Sequence, residues 1–578
     1  MLDVIFNSQE LEYKNPFGAI QSDETIQFNI KANELCDVKI VIKTENGLEE
    51  FYLENTDEND NYFTYSIELD AFNYIGPIFY YFVFKKDNET FYYTNNEDLL
   101  GGEGKLYAEN PNLYYHTYVY DLKYEVPEWF KTGIVYHIFV DRFNNDDCSL
   151  ENVNKDLVEV YGGNLRGIID KLDYLKDLGV STILLSPIFE SKSHHKYDIG
   201  DYKKIADDFG DLATFKELIF EIKKRNMYVI LDGVFNHTGS DSKYFNKNDN
   251  YDSLGAYQSK DSKYYDWYIF NDYPDNYDCW QGIDTLPELN QSNKDMLNYF
   301  LFDEKSIVNY WMDLGIDGWR LDAADLLSDE FLNKFYNVVK KKNPDSVIIG
   351  ELWEDVTNFR FHSEDEFHKY VCGCELESII DYPMHGLMLE YSKGDYSPQR
   401  FKRGFYSLAE NYPNEYFYSL LNFLSTHDIE RVFYLLEGNF DFIKLAIVLS
   451  LTLPGVPLIY YGDEAGLDGG NDPDNRRPFP WNNINKEIYN HYRNLCKIRN
   501  SYDAFKKGSI FFVENQDLLI YRRSYNGENI YVFLNNSSAN EFIIKEDIKL
   551  KNIENNEIYG LNDAVPLDKF DYKIFLEI

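Results

Sequence analysis

Three patterns of apolar and polar positions follow one another along the chain. Up to about residue 125, short runs alternate apolar with polar residues (IQFNIKA, DVKIVIKT, EEFYLE, YFTYSIEL, IFYYFVFK and ETFYYT) and are broken by Asn, Asp and Gly. Period-2 alternation bounded by turn residues predicts half-buried antiparallel strands, hence an N-terminal β-sandwich over 1–125. After VPEWF (Val126 to Phe130) the pattern changes, and short apolar runs now alternate with longer stretches of helical spacing. The runs IVYHIFV, STILLSP, MYVILDG, DGWRLDA, SVIIGEL, ESIIDYP, LLNFLST and PLIYYGD come in order as eight strands. NLRGIIDKLDYLKDLG and DLATFKELIFEIKKRN, with apolar residues three and four apart, supply helices between them. Alternation of this kind predicts an α/β fold, a (β/α)8 TIM barrel over 126–504. The polar, aromatic excursion at about 238–290 is too long for an ordinary connection and predicts a functional loop subdomain. From 505 to 578, SIFFVE, LLIYRRS, NIYVFLNN, EFIIK and YKIFLEI return to alternation and predict a C-terminal antiparallel β-sandwich.

The predicted strand ends carry the candidate chemistry. Asp322 ends one apolar run in GWRLDAAD, Glu351 another in VIIGELWED and Asp428 a third in LNFLSTHDIE. In such a barrel the carboxyl ends of all strands open on one face, so acids on different strands can converge. Cleavage of a glycosidic bond with retention needs one carboxylate to attack, one carboxylic acid to protonate the leaving oxygen, and commonly a third acid to grip the sugar.

Composition narrows the partners. The formal charge of −43, from 99 acidic against 56 basic residues, argues against nucleic acid and anionic membranes, whose binding relies on Lys and Arg. A neutral substrate fits better. The opening MLDVIFNSQELEY lacks a basic region followed by an apolar stretch, and no apolar run reaches spanning length, so a cytoplasmic protein is expected. The cysteines at 36, 148, 279, 372, 374 and 496 show neither a disulfide framework nor zinc spacing and read as reduced structural thiols. Aromatic residues make up 17%, which suits stacking on pyranose faces and equally follows from a bias toward Tyr, Phe, Asn, Lys and Ile.

Taken together, GVSTILLSP, LDGVFNH, LPELN, GWRLDAAD, GELWED, STHDIER and GVPLIYYGDEAG resemble the ordered motifs of the α-amylase family, glycoside hydrolase family 13. HKYDIGDY, the stretch from GSDSKYF to LPELN, and GGNDPDNRRPFPW resemble its neopullulanase, cyclomaltodextrinase and amylopullulanase branch. The resemblance implies a retaining α-glucan hydrolase acting on α-1,4 bonds, with α-1,6 bonds as a further candidate linkage, in maltodextrins, cyclodextrins or pullulan. It implies Asp322 as nucleophile, kept ionised by Arg320, and Glu351 as general acid and base with a raised pKa and Trp353 as apolar surroundings. The two carboxyls are then expected about 5 to 5.5 Å apart. It implies Asp428 as transition-state stabiliser assisted by His427 and His237, Tyr197 as stacking platform, and Asp472 with Arg476 as substrate contacts. Asp232 reads as mainly structural, supporting the His237 loop.

No cofactor is required by this chemistry. Family members bind calcium after strand 1, where Asn145, Asp147, Gly162 and Asn164 match some ligand positions, although SLENVN departs from the usual Asn-Asp pair and Asn164 replaces an Asp. After Asp322 the chain reads Ala323, Ala324, Asp325, Leu326, where typical α-amylases end on Lys and His, which weighs against a typical endo-amylase. Two rivals stay open: an α-glucan transglycosylase and a non-catalytic glucan-binding protein. The N-terminal strands resemble a starch-binding module and have two readings, a glucan-binding module or an element forming a homodimer.

Overall fold

The computed structural model describes residues 2–59, 61–121, 125–147, 149–152, 155–357 and 369–578. Its central feature is an eight-stranded parallel sheet. In chain order the strands are β1 (Val135–Ile138), β2 (Thr182–Leu185), β3 (Tyr228–Gly233), β4 (Gly318–Leu321), β5 (Val347–Gly350), β6 (Ser378–Ile379), β7 (Leu421–Phe423) and β8 (Val456–Tyr460). They pair in the order β6-β5-β4-β3-β2-β1-β8-β7, and a parallel bridge from Ile380 to Leu421 joins β6 to β7 and closes the barrel. All eight runs expected from sequence are strands. They are legible because a barrel strand is buried on both faces and must be apolar almost throughout.

Local signals set the helices between strands. The helix Leu165–Leu178 begins where Asn164 accepts the Gly167 N–H and ends at Gly179, whose φ of 101° suits a residue without Cβ. Leu212–Lys224 begins on Asp211, which accepts from Thr214, and buries Phe215, Leu218, Ile219 and Ile222 on one stripe. The excursion after β3 builds its own small core, in which Tyr244, Trp267 and Phe300 pack on one another and Phe245 packs on Tyr268, Phe270 and Tyr277.

Antiparallel sheets stand at both ends of the chain. The N-terminal strands form a five-stranded and a seven-stranded sheet around a core that includes Phe6, Phe28, Ile40, Tyr80 and Phe82. The C-terminal strands form a six-stranded sheet and a two-stranded one, with Leu518, Phe533 and Phe575 in their core. The chain divides into two compact units: Met1–Val126 with Glu354–Glu377 and Tyr396–Tyr418, and Pro127–Trp353 with Ser378–Asp395 and Ser419–Ile578. Within the first, Ser8 Oγ donates to Glu410 Oε2 at 3.1 Å and the Asp121 N–H donates to the Cys372 carbonyl at 2.9 Å. The described cysteines, Cys36, Cys279, Cys372, Cys374 and Cys496, form no disulfide with one another, and Cys148 lies outside the described residues. Among the described residues no helix is long and apolar enough to cross a membrane.

Two glycines test how tightly the barrel is packed. A Cβ on Gly318 would sit 2.5 Å from the Val347 carbonyl oxygen, whereas one on Gly386, inside the helix Tyr382–Lys393, would meet nothing within 4 Å. Gly318→Ala is expected to cost roughly 1–3 kcal/mol, as overpacking does. Gly386→Ala is expected to add about 0.4–1 kcal/mol by restricting the unfolded chain. Thermal unfolding of the two variants beside wild type checks both signs.

Candidate active site

The carboxyl ends of β3, β4 and β5 place three carboxylates around one buried cation. The strand ladder continues one residue past β4 and β5, where the Asp322 N–H donates to the Gly233 carbonyl at 3.1 Å and the Glu351 N–H to the Leu321 carbonyl at 3.0 Å. Arg320, two residues before Asp322 and on the same side of β4, is 1% exposed. Its Nη1 donates to Asp322 Oδ1 at 2.8 Å and to Asp232 Oδ1 and Oδ2 at 2.8 and 3.0 Å. Its Nη2 stands 2.8 Å from Glu351 Oε2. Asp232 is therefore a direct partner of Arg320, not a prop for the His237 loop.

Glu351 is held at both oxygens. The Ala323 N–H donates to Oε2 at 3.0 Å, and Ala323 does so from a left-handed conformation with φ of 45°, strain of the kind found at functional sites. The Trp353 Nε1 donates to Oε1 at 3.2 Å, so Trp353 contributes a hydrogen bond and not only an apolar neighbour. Its indole stacks on Tyr382 at 4.4 Å and is 50% exposed.

Asp428 reaches the same cluster through β7's following loop. Tyr197 donates its phenolic proton to Asp232 Oδ2 at 2.8 Å and lies 2.6 Å from His427 Nε2, with the two rings parallel at 5.1 Å. His427 Nε2 is also 3.2 Å from Asp428 Oδ2. Arg476 places Nη2 at 3.5 Å from Asp428 Oδ1 and Nη1 at 3.0 Å from Asp472 Oδ1. Asp322, Glu351, Asp428, Tyr197, Arg320, Trp353, His427, Asp472 and Arg476 thus belong to one connected network. His237 lies beside Trp280, with ring centroids 5.9 Å apart, and makes a hydrogen bond to the backbone of Tyr197. It is 2% exposed.

Two residues that sequence reasoning missed hold the Asp428 backbone. Asn475 Nδ2 donates to the carbonyls of His427 and Ile429, each at 2.8 Å, so its amide brackets Asp428. Buried Arg431 fixes Asn475 in turn, donating from Nε to its carbonyl at 2.9 Å and from Nη1 to the Tyr461 carbonyl at 2.8 Å and Asp463 at 3.0 Å. An Asn in a polar loop carries no signal of such burial; the Arg three residues after Asp428 is the only hint.

The electrostatics differ from expectation at the nucleophile position. Burial, together with Glu351, Asp232 and Asp428, pushes the Asp322 carboxyl well above its usual range despite Arg320. One guanidinium shared among several carboxylates does not keep each of them ionised. Burial and then Glu351 push Asp428 up to about 8, and burial pushes Asp232 up to about 6. Burial also lowers His237 to about 4 and His427 well below its ordinary value, so both imidazoles are neutral near pH 7. Neutral His427 thus places one ring nitrogen, Nε2, between the Tyr197 hydroxyl at 2.6 Å and Asp428 at 3.2 Å.

The residues proposed for calcium make hydrogen bonds within their own loop. The Asn145 carboxamide oxygen accepts the Asp147 N–H at 2.7 Å, and its amide donates to the Gly162 carbonyl. The Asn164 oxygen caps a helix at 2.7 Å from the Gly167 N, while its amide donates to Asp146 at 2.9 Å. No group of three or more His, Cys, Asp or Glu among the described residues is placed to hold a metal. Val153 and Asn154 of SLENVN lie outside the described residues.

Comparison with known proteins agrees with this geometry. The family described as Alpha amylase, catalytic domain, matches residues 137–505. An amylopullulanase of Thermoanaerobacterium thermosulfurigenes is 31% identical over 97% of this chain, which spans only 35% of that relative. Neopullulanase 2 of Thermoactinomyces vulgaris is 34% identical over 77% of this chain and 76% of its own length. A solved cyclomaltodextrinase structure shares the fold over 99% of both chains, with a TM-score of 0.72 at 24% identity. With its closed barrel and its acids at the ends of β4, β5 and β7, the chain belongs to the α-amylase family, in the branch of neopullulanases, cyclomaltodextrinases and amylopullulanases.

Proposed function

We propose that the protein is a retaining α-glucan hydrolase cleaving α-1,4 glucosidic bonds, with α-1,6 bonds as a second linkage. The observation that carries this reading is Arg320, whose adjacent terminal nitrogens meet Asp322 and Glu351 at 2.8 Å each and so hold the two as a close pair. A close pair suits retention, in which one carboxylate attacks directly, whereas inversion needs room for a water between them. Asp322 attacks the anomeric carbon while Glu351 protonates the departing oxygen. Glu351 then takes a proton from the water that releases the glucosyl–Asp322 intermediate. Asp428 and neutral His427 grip ring hydroxyls as the oxocarbenium ion develops, and Tyr197 underlies the reacting sugar. A sugar in place of that water would make the enzyme a transglycosylase.

Charge counting leaves the cluster short of cations. Asp232, Asp322, Glu351 and Asp428 face only two guanidiniums, Arg320 and Arg476, so the buried cluster keeps a proton near neutrality.

Two measurements test the reading. Product analysis on pullulan, linear maltodextrin and cyclodextrin, with Asp322→Asn as the blank, is expected to give wild-type products of retained configuration and at least a 10³-fold loss in the variant, the scale seen on removing a nucleophile. Panose from pullulan marks α-1,4 cleavage and maltotriose marks α-1,6 cleavage; equal inactivity of both proteins on all three glucans would sink the proposal. The second measurement uses pH. A carboxyl raised to about 8 holds a proton in the folded state that the unfolded chain has lost above its ordinary value near 4, so its contribution to stability falls as pH rises from about 4 to about 8. Asp428 is 26% exposed at the side chain, so solvent reduces the effect to on the order of 1–2 kcal/mol. Relative to Asp428→Asn, wild type is expected to lose unfolding stability between pH 5 and pH 8, and parallel profiles would contradict the assignment.

A further inference from the structure

A second concave site lies beyond the acids, on the loops after β7 and β8. A cavity of about 550 Å³ is lined by Phe433, Tyr434, Leu435, Glu437, Gly438 and Asp468. That volume is of ligand-site size. Tyr434 stands out among these residues because it leaves 53% of its surface in solvent, on a short helical turn, Val432–Leu435, that starts four residues after Asp428. The turn is closed off by Glu437 and Gly438, with φ of 56° and 65°, and by the Gly438 N–H donating to the Phe433 carbonyl at 2.8 Å.

The cavity lies beside the β8 loop, which reaches the acid cluster through Arg476. The Tyr434 ring packs against Gly470, where an added Cβ would lie 3.6 Å from it. The Arg431 N–H donates to the Gly469 carbonyl at 3.0 Å, fastening the two loops together, and the Gly470 N–H donates to Asp474 Oδ2 at 2.8 Å within the β8 loop. The same β8 loop then carries Asp472 and Arg476, and Arg476 reaches Asp428. The Tyr434 ring therefore stands beside the segment that carries Asp472 and Arg476.

The lining chemistry selects the occupant. An exposed aromatic face stacks on pyranose C–H groups, and the carboxylates of Glu437 and Asp468 accept sugar hydroxyls. Two acids and no cation in the lining disfavour a phosphorylated or otherwise anionic ligand.

Building on the hydrolase reading, we infer that this groove is a distal subsite binding glucosyl units of the same α-glucan chain, with Tyr434 as its stacking residue. The test compares wild type, Tyr434→Ala and Tyr434→Phe on maltotriose and on amylose. Tyr434→Ala is expected to lower kcat/KM on amylose roughly tenfold, the effect of losing one stacking face, while maltotriose changes by less than about twofold. Tyr434→Phe keeps the ring and should behave as wild type. An unchanged amylose value in Tyr434→Ala, or an equal loss on both substrates, overturns the subsite. The second arm is independent of turnover: retardation of full-length Asp322→Asn in an amylose-containing gel should weaken when Tyr434→Ala is added, and equal retardation refutes the inference. If wild type hydrolyses neither substrate, the hydrolase reading fails while the gel still decides the groove.

Discussion

The guanidinium of Arg320, almost wholly withdrawn from solvent at the end of β4, is the interaction on which the site depends. It binds Asp232 from β3, Asp322 from its own strand and Glu351 after β5, so neighbouring strands are tied by one side chain. Burying a charge is costly unless it is paired and fully hydrogen-bonded, and here the pairing comes from the carboxylates the reaction requires. The barrel registers these groups because β3, β4 and β5 are adjacent and parallel, with Asp232 opposite Arg320 and Arg320 opposite Ile349. A slip of one residue in any of them would turn the acid away from the cation.

On the far side of the cleft the structure solves a different problem. Asp428 lies on a loop past the short β7, where no strand ladder fixes it. Its position comes from Asn475 on the two flanking carbonyls, from Arg476 and His427 on the carboxylate, and from buried Arg431 under Asn475. The loops after β7 and β8 are thus tied together by hydrogen bonds.

Much of this was legible in the sequence because barrel strands and acids leave strong local marks. A strand buried on both faces is a short apolar block, and an acid directly after such a block is conspicuous, as with Asp322 and Glu351. What was not legible depends on how many groups converge. The pairing of Arg320 with Asp322 suggested a lowered carboxyl pKa, yet the direction is upward because burial, Glu351, Asp232 and Asp428 act together, and no pairwise spacing reveals that sum. Asn164 also caps a helix and Asn145 ties its loop, roles that exist only in three dimensions. Asn475 was invisible for the same reason: a polar residue in a polar loop gives no sign that it is buried.

The central claim is that Asp322 forms the covalent bond to the sugar. Incubation with 5-fluoro-α-glucosyl fluoride, which slows release of the intermediate, followed by proteolysis and mass spectrometry of the peptides, tests it directly. The account predicts one fluoroglucosyl adduct, on the peptide containing Asp322 and absent in Asp322→Asn. An adduct on Glu351 or Asp428, or turnover of a natural glucan with inversion at the anomeric carbon, would contradict it.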